Sequence, residues 1–159
     1  MYSHIYLISE ERIMGLFDFA KNIGNKIFGS DDDNEVASDK LKKHIEEDNP
    51  GINDLQIDVV DGVATIKGET DDPSALEKVI LMAGNAMGIE EVRADEVSSP
   101  TQTYEVQYYE IEKGDSLWKI AKNFYGDGNK YTKIFDANRE VIKDPDLIFP
   151  GQKIRIPMD

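Results

Sequence analysis

The segment ILMAGNAMGI (residues 80–89) joins an apolar helical pattern to two glycines and then to the start of a strand. A helix leaves its last four carbonyl groups without intrahelical partners, and its macrodipole places partial negative charge at that end. Glycines at positions 84 and 88 widen the range of backbone dihedrals, so these oxygens can converge on one point. Taken alone, the segment favours an ordinary glycine-terminated helix over a cation site made of main-chain oxygens.

The composition around this segment is that of an acidic globular protein. The chain has 159 residues, of which 40% are hydrophobic and 31% charged, and its net charge is -14. This length suits one ordinary domain or two small ones. The acidity disfavours binding to nucleic acid or to anionic membranes, which requires basic surface, and favours cations or basic proteins as partners. There are no cysteines, which excludes disulfides and thiolate metal sites.

The sequence predicts neither a membrane protein nor a secreted one. No apolar run approaches the roughly 18 residues that a membrane-spanning helix needs. The first residues include Glu10 and Glu11 and lack the apolar core of a signal peptide. We therefore expect a cytoplasmic protein with no membrane insertion. Residues 1–13 precede a second natural start at Met14, and we expect them to be an upstream-start or otherwise non-native extension.

Residues 14–35 are predicted to form an N-terminal amphipathic segment. The apolar residues from Leu16 to Phe28 fall largely on one helical face. Gly24 and Gly29 interrupt this pattern, which predicts a short helix ending near Gly24 and a further turn to Phe28. The polar face is not strongly basic, so we expect the helix to dock onto its own domain rather than onto a membrane.

Residues 36–97 predict a small domain with the element order α-β-β-α-β. A helical pattern ends at Asn49-Pro50-Gly51, two alternating strands flank an Asp61-Gly62 turn, and a second helix and a closing strand follow. The stretch LQIDVVDGVATIKG (residues 55–68) and the strand entry GIEEV (residues 88–92) resemble the BON domain. That resemblance implies a small α/β module.

Residues 98–106 form a polar linker, and residues 107–159 predict a second domain with the order β-α-α-β. Four blocks carry a resemblance to the LysM domain: GDSLWKIA (114–121), YG (125–126), IFDANR (134–139) and PGQKIRIP (150–157). A small apolar core is expected from Trp118, Ile120, Phe124, Ile134, Phe135, Ile154 and Ile156. The predicted fold class is therefore α+β, with two small domains behind an amphipathic helix.

The LysM resemblance implies one binding function. Such domains bind N-acetylglucosamine polymers in a shallow groove, which here would lie near Gly114, Asp115, Ser116 and Leu117 and the loop after the second helix. The same residues can instead serve only to hold the fold. A peptidoglycan fragment is thus one possible partner, and a protein partner is another.

The sequence offers little for catalysis. Its two histidines are His4, in the extension, and His44, which follows two lysines on a predicted helix and is expected to be solvated or partly packed. The pair Asp71-Asp72 is expected to cap a helix rather than to act as an acid and a base. No phosphate-binding loop, dinucleotide fingerprint or nucleophile elbow is present. We expect a protein that is not an enzyme.

A BON domain followed by a LysM domain, behind the opening MGLFDF (residues 14–19), resembles the cytoplasmic potassium-binding protein family. The resemblance implies a monomeric K+ sensor or buffer of the stress response that becomes compact when it binds the ion. In that family main-chain carbonyls from the N-terminal segment and from the end of the BON helix hold K+. Carried over by motif, the carbonyls belong to Ala20, Ile23, Gly84, Ala86 and Ile89.

Physical chemistry agrees with that set of ligands. Several neutral carbonyl dipoles can replace the water shell of a weakly hydrated monovalent cation, whereas carboxylate cages favour hard divalent ions. The backbone path past Gly24, Gly84 and Gly88 then matters more than the side chains. Two alternatives stay open: a peptidoglycan-binding adaptor and a protein-interaction scaffold with no small ligand.

Overall fold

The computed structural model describes residues 17–22 and 24–158, and the chain divides into two compact units between Gln102 and Thr103. Each unit has its own sheet, with three strands in the first and two in the second. Helices accompany both sheets. This mixture confirms the predicted α+β class with two small domains.

The first unit has the predicted order of elements. They are α1 (Asn34–Glu46), β1 (Asn53–Val60), β2 (Val63–Glu69), α2 (Pro73–Gly84) and β3 (Glu91–Ser98). Strand β2 lies in the middle of the sheet, antiparallel to β1 and parallel to β3. A parallel pair needs a crossover, and α2 supplies it.

Local residue choices set the ends of these elements. The turn between β1 and β2 has positive φ at both Asp61 (48°) and Gly62 (84°), as a two-residue type I′ hairpin requires. At the start of α2, the side chain of Asp72 accepts the N–H of Ser74 at 2.9 Å, and Pro73 occupies the first turn. The predicted hairpin and the predicted helix cap are both confirmed.

Helix α2 is the central element of the first unit. Helix α1 buries one face, whereas α2 is buried almost all round, as a helix enclosed by its own domain should be. The buried residues of α2 are Ala75, Glu77, Val79, Ile80, Leu81, Met82, Ala83 and Gly84. The C-terminal end of α2 therefore lies inside the unit, away from bulk water.

The N-terminal segment departs from its predicted helix. Among its described residues before α1, only Phe17 is helical, and residues 18–22 and 24–28, here called the strap, form turns and two isolated β-bridges. The predicted helix up to Gly24 is therefore wrong for these residues. The physical reason is that strap amides bond to the loop after α2 instead of to each other. Residues 1–16, which include the predicted extension, lie outside the described residues.

The second unit has the predicted β-α-α-β order. Its elements are β4 (Val106–Glu110), α3 (Leu117–Tyr125), a 3-10 turn (Gly128–Lys130), α4 (Tyr131–Ala137) and β5 (Lys153–Pro157). The two strands are antiparallel. Across the described part of the chain, no helix has the length and apolarity that crossing a membrane requires.

The core of the second unit corrects one prediction. The isoleucines expected inside are buried, but Trp118 is 48% exposed, and Leu117, at 1%, takes the core position beside it. Neighbouring residues on a helix point about 100° apart, so only one of the two can face the core. The Trp118 ring lies instead on Gly128, where a Cβ would overlap it.

Candidate cation site at the end of α2

The strap is bonded to the loop that connects α2 to β3, residues 85–90. Four main-chain hydrogen bonds join the two segments, two donated by each. Donation in both directions fixes the register of the strap along the loop. The bonds run from Phe19 N to Glu90 O (3.0 Å), from Asn25 N to Asn85 O (2.7 Å), from Met87 N to Asn25 O (2.8 Å) and from Gly88 N to Lys21 O (2.6 Å).

The loop uses all its amide donors but not all its acceptors. Every N–H from residue 85 to residue 91 donates a backbone hydrogen bond. The N–H of Gly88, which in a continuing helix would bond to Gly84 O, donates to Lys21 O instead. Within the described part of the chain, these bonds give no donor to the carbonyls of Gly84 and Ile89, two buried residues. Buried carbonyls are normally paired, so this surplus of acceptors suits a cation.

The electrostatics at this end of α2 point the same way. The macrodipole places partial negative charge at a helix C-terminus, and a basic side chain commonly offsets it. The last turn of α2 contains no basic residue. Among the described residues there is no group of three or more His, Asp or Glu side chains that could hold a metal ion. The groups at the loop that could coordinate an ion are neutral carbonyl oxygens. These suit a weakly hydrated monovalent cation better than Ca²⁺ or Zn²⁺.

Close approach of neighbouring atoms explains why two positions of the site are occupied by glycine. A Cβ on Gly24, whose φ is +130°, would overlap the carbonyl of Asn85. A Cβ on Gly84 would overlap the ring of Phe19, although Gly84 has no positive φ. Gly88 does have a positive φ, of 108°. The expectation that glycines permit unusual dihedrals is thus confirmed at 24 and 88, whereas Gly84 is needed for space.

Four of the five predicted ligand residues lie within the described residues. Ala20 precedes the turn at residues 21–22 of the strap, and Gly84 is the last residue of α2. Ala86 forms a bridge with Asn25, and its carbonyl accepts the N–H of Ile89 at 3.1 Å. Ile23 lies outside the described residues. The two segments that carry the predicted ligands are therefore joined directly by the strap bonds.

Sequence reasoning missed one residue of this junction. Phe19 was expected only on the apolar face of a helix, yet its ring covers Gly84. The available signal was Gly84 itself, because a glycine inside an otherwise apolar helix commonly marks a close approach. The sequence does not say which residue makes that approach.

The predicted glycan-binding residues have structural partners in the second unit. The Asp115 carboxylate accepts the hydroxyl of Tyr109 at 2.5 Å and the N–H of Glu112 at 2.8 Å. Ser116 caps α3 by accepting the N–H of Lys119, and Leu117 is buried. Gly114 is exposed, with no atom within 4 Å of where its Cβ would lie. Asp115 and Ser116 therefore hold the turn, Leu117 lies in the core, and the Gly114 carbonyl accepts a hydrogen bond from Lys119 Nζ at 3.2 Å.

Family comparisons agree with the two folds. Residues 32–98 match the model of the BON domain, and residues 109–157 match that of the LysM domain. Fold and domain order thus define a two-domain BON–LysM protein. The potassium binding protein Kbp of Escherichia coli O6:H1 strain CFT073 is 38% identical over 149 residues, which span 91% of this chain and 99% of that protein. The chain belongs to the family of Kbp.

Other relatives share only part of the chain. An uncharacterized protein of Deinococcus radiodurans is 44% identical over 72 residues, which are 45% of this chain and 26% of that protein. Protein YqbP of Bacillus subtilis, also uncharacterized, is 43% identical over 58 residues, covering 31% of this chain and 26% of that protein. Matches of this extent indicate a domain in common and not similarity over the whole protein.

Proposed function

We propose that this protein binds K+ through main-chain carbonyls of Ala20, Gly84, Ala86 and Ile89, with Ile23 contributing from outside the described residues. It acts as a cytoplasmic, monomeric sensor or buffer and not as an enzyme. The observation that carries the proposal is the carbonyl of Gly84, the last residue of α2, which receives no donor from the backbone bonds of the described residues, while the Gly88 N–H donates to Lys21 O. The name of its E. coli relative, potassium binding protein Kbp, supports the choice of ion.

The chemistry of the site is the replacement of water by fixed dipoles. The carbonyls at the end of α2 lie at the negative end of the helix dipole. A cation there is therefore stabilised more strongly than it would be by isolated amides. Because Gly84, Ala86 and Ile89 are buried, they lie in a medium that screens this attraction less than water does. The net charge of -14 further raises the local concentration of cations.

Binding would also change the conformation of the strap. Without an ion, converging carbonyls repel each other, and this repulsion opposes docking of the strap onto the loop. An ion that binds only the docked form shifts the population toward it, and the protein becomes more compact. Sensing would then consist of this change in the docked fraction.

Calorimetric titration with the alkali-metal chlorides tests the proposal. We expect saturable binding of one K+ per chain and no binding of Li+, at constant ionic strength. The matched control is Gly29→Ala, since Gly29 lies on the chain beyond the strap and has no positive φ, and the three atoms nearest to its Cβ position belong to the Asp32 carboxyl group. The control should bind K+ as the unchanged protein does. Heats that are equal for K+ and Li+ would contradict the proposal.

A second candidate, a peptidoglycan-binding adaptor, is favoured by the LysM match and by the open space beside Gly114, where no atom lies within 4 Å of its Cβ position. Trp118 is the only tryptophan in the chain and is half exposed, so its fluorescence reports on the second unit alone. Titration of N-acetylglucosamine oligomers in Li+ buffer separates the two functions. Saturable binding that does not depend on K+ would favour the adaptor.

A further inference from the structure

We propose that Phe19 is a specificity-determining residue: its ring is a spacer that holds the strap at a separation from α2 which suits K+ and is too wide for Na+. This inference rests on the proposed function and assigns a role to a side chain that is not itself a ligand. It begins from the contact between the Phe19 ring and Gly84, where a Cβ would overlap three ring carbons.

The ring is held in place by main-chain bonds on both sides of the contact. The Phe19 N–H donates to Glu90 O at 3.0 Å, and two residues later Lys21 O accepts the N–H of Gly88 at 2.6 Å. The backbone between these bonds is therefore tied to the loop at both ends. The thickness of the ring then sets how closely this piece of strap approaches the end of α2.

Two proposed ligands flank the spacer. Ala20 follows Phe19 directly and lies between the two bonds, while Gly84 lies beneath the ring. The separation of their carbonyl oxygens is therefore coupled to the size of the side chain at position 19. A different side chain at position 19 would change that separation without removing either carbonyl.

A spacer discriminates between ions through the stiffness of the site. A smaller cation binds well only if the carbonyls can move inward to replace its water shell. A packed aromatic ring resists that inward movement, because close-packed interiors are only slightly compressible. Na+ would lose its hydration without equal compensation, whereas K+ would be coordinated at the existing separation.

A spacer and a simple anchor predict different outcomes. If Phe19 only helped the strap to dock, its loss would lower the docked fraction, and this fraction multiplies the apparent affinity for every ion by the same factor. The ratio of the K+ and Na+ affinities would then stay constant. A spacer changes that ratio, because shortening it lets the carbonyls approach the smaller ion.

The test measures K+ and Na+ affinities of the unchanged protein, Phe19→Leu and the control Phe135→Leu by calorimetry. Phe135 is a partly buried phenylalanine of the second unit. Amide exchange at Asn25 and Met87 in Li+ buffer reports whether the strap stays docked in each variant. We expect Phe19→Leu to lower the K+ to Na+ affinity ratio about tenfold, or about 1.4 kcal/mol, and Phe135→Leu to leave it unchanged.

Two results would overturn the inference and can be told apart. Equal weakening of K+ and Na+ binding in Phe19→Leu would make the residue an anchor, while the proposed function would stand. Absence of K+ binding by the unchanged protein would overturn the proposed function and the spacer together. Strap amides that exchange faster in Phe19→Leu, combined with a lower affinity ratio, would still support the spacer, because undocking alone cannot change the ratio.

Discussion

The ring of Phe19 lies where the side chain of any residue other than glycine would begin at position 84. This contact joins the strap to the last residue of α2, whose carbonyl receives no donor from the backbone bonds of the described residues. A single residue thus supplies both the space for the strap and an oxygen of the candidate site. Packing and proposed binding are coupled at this position.

Gly84→Ala should therefore damage both properties. The added methyl group meets the Phe19 ring, and overpacking of this kind costs about 1–3 kcal/mol. We expect a lower free energy of unfolding in urea and a weaker affinity for K+. The double variant Phe19→Leu/Gly84→Ala should recover part of the lost stability, because leucine leaves room for the methyl group. An additive double variant would mean that the two residues are not in contact.

Gly24→Ala should weaken the docking of the strap onto the loop after α2 more than it destabilises the C-terminal end of α2. The φ of +130° is unfavourable for any residue with a Cβ, and that Cβ would overlap the main-chain oxygen of Asn85. The neighbouring bond from Asn25 N to Asn85 O should be lost. Amide exchange at Asn25 and Met87 should accelerate at least about tenfold, which corresponds to about 1.4 kcal/mol of local opening. Unchanged exchange at both amides would show that the strap is not held as described.

Gly128→Ala should destabilise the second unit through Trp118. The new methyl group would overlap the indole ring, so the ring must leave its place or the 3-10 turn must shift. We expect a changed Trp118 emission maximum and a loss of about 1–3 kcal/mol in thermal unfolding. Gly126→Ala is the control: it adds backbone strain at a φ of +77°, which Gly128 does not have, but no atom lies within 4 Å of its Cβ position. If both variants leave Trp118 emission unchanged, the indole does not lie on Gly128.

Alkaline pH should reveal the bond between Tyr109 and Asp115. Burial, followed by the hydrogen bond to the Asp115 carboxylate, raises the pKa of Tyr109 above its ordinary value near 10. Since the unfolded chain ionises this tyrosine first, the stability due to its neutral form is fully present below about pH 10 and is lost as the pH rises above it. Ultraviolet difference titration should show one tyrosine ionising later than the others. Asp115→Asn should bring that late step to lower pH, and a titration curve identical to that of the unchanged protein would contradict the assignment.

The domains could be predicted from the sequence because local signals agreed with the tertiary structure. The Asp61-Gly62 hairpin and the Asp72 cap need only their own residues and their neighbours. The strap could not be predicted as readily, because apolar periodicity reports which side chains are buried and not whether the backbone bonds to itself. Its amides bond to a loop at least 60 residues away in the sequence, which no local pattern encodes.

The candidate site was predictable only in part for the same reason. The apolar pattern predicted the helix ending at Gly84, which carries one half of the candidate site. The role of Phe19 depends on a contact between segments distant in sequence, and the exposure of Trp118 depends on which of two adjacent apolar residues the core accepts. Both are properties of tertiary packing, which local sequence patterns do not reveal.

Carbonyl-carbon NMR shifts report directly whether carbonyl oxygens of the strap and of the end of α2 bind K+. Spectra of the uniformly 13C-labelled protein would be compared in LiCl, NaCl and KCl at equal ionic strength. We expect K+ to shift the carbonyl-carbon resonances of Ala20, Gly84, Ala86 and Ile89 in a saturable manner, while the resonance of Val141 in the second unit moves much less. Carbonyl shifts at these four residues that are the same in KCl and LiCl would contradict it.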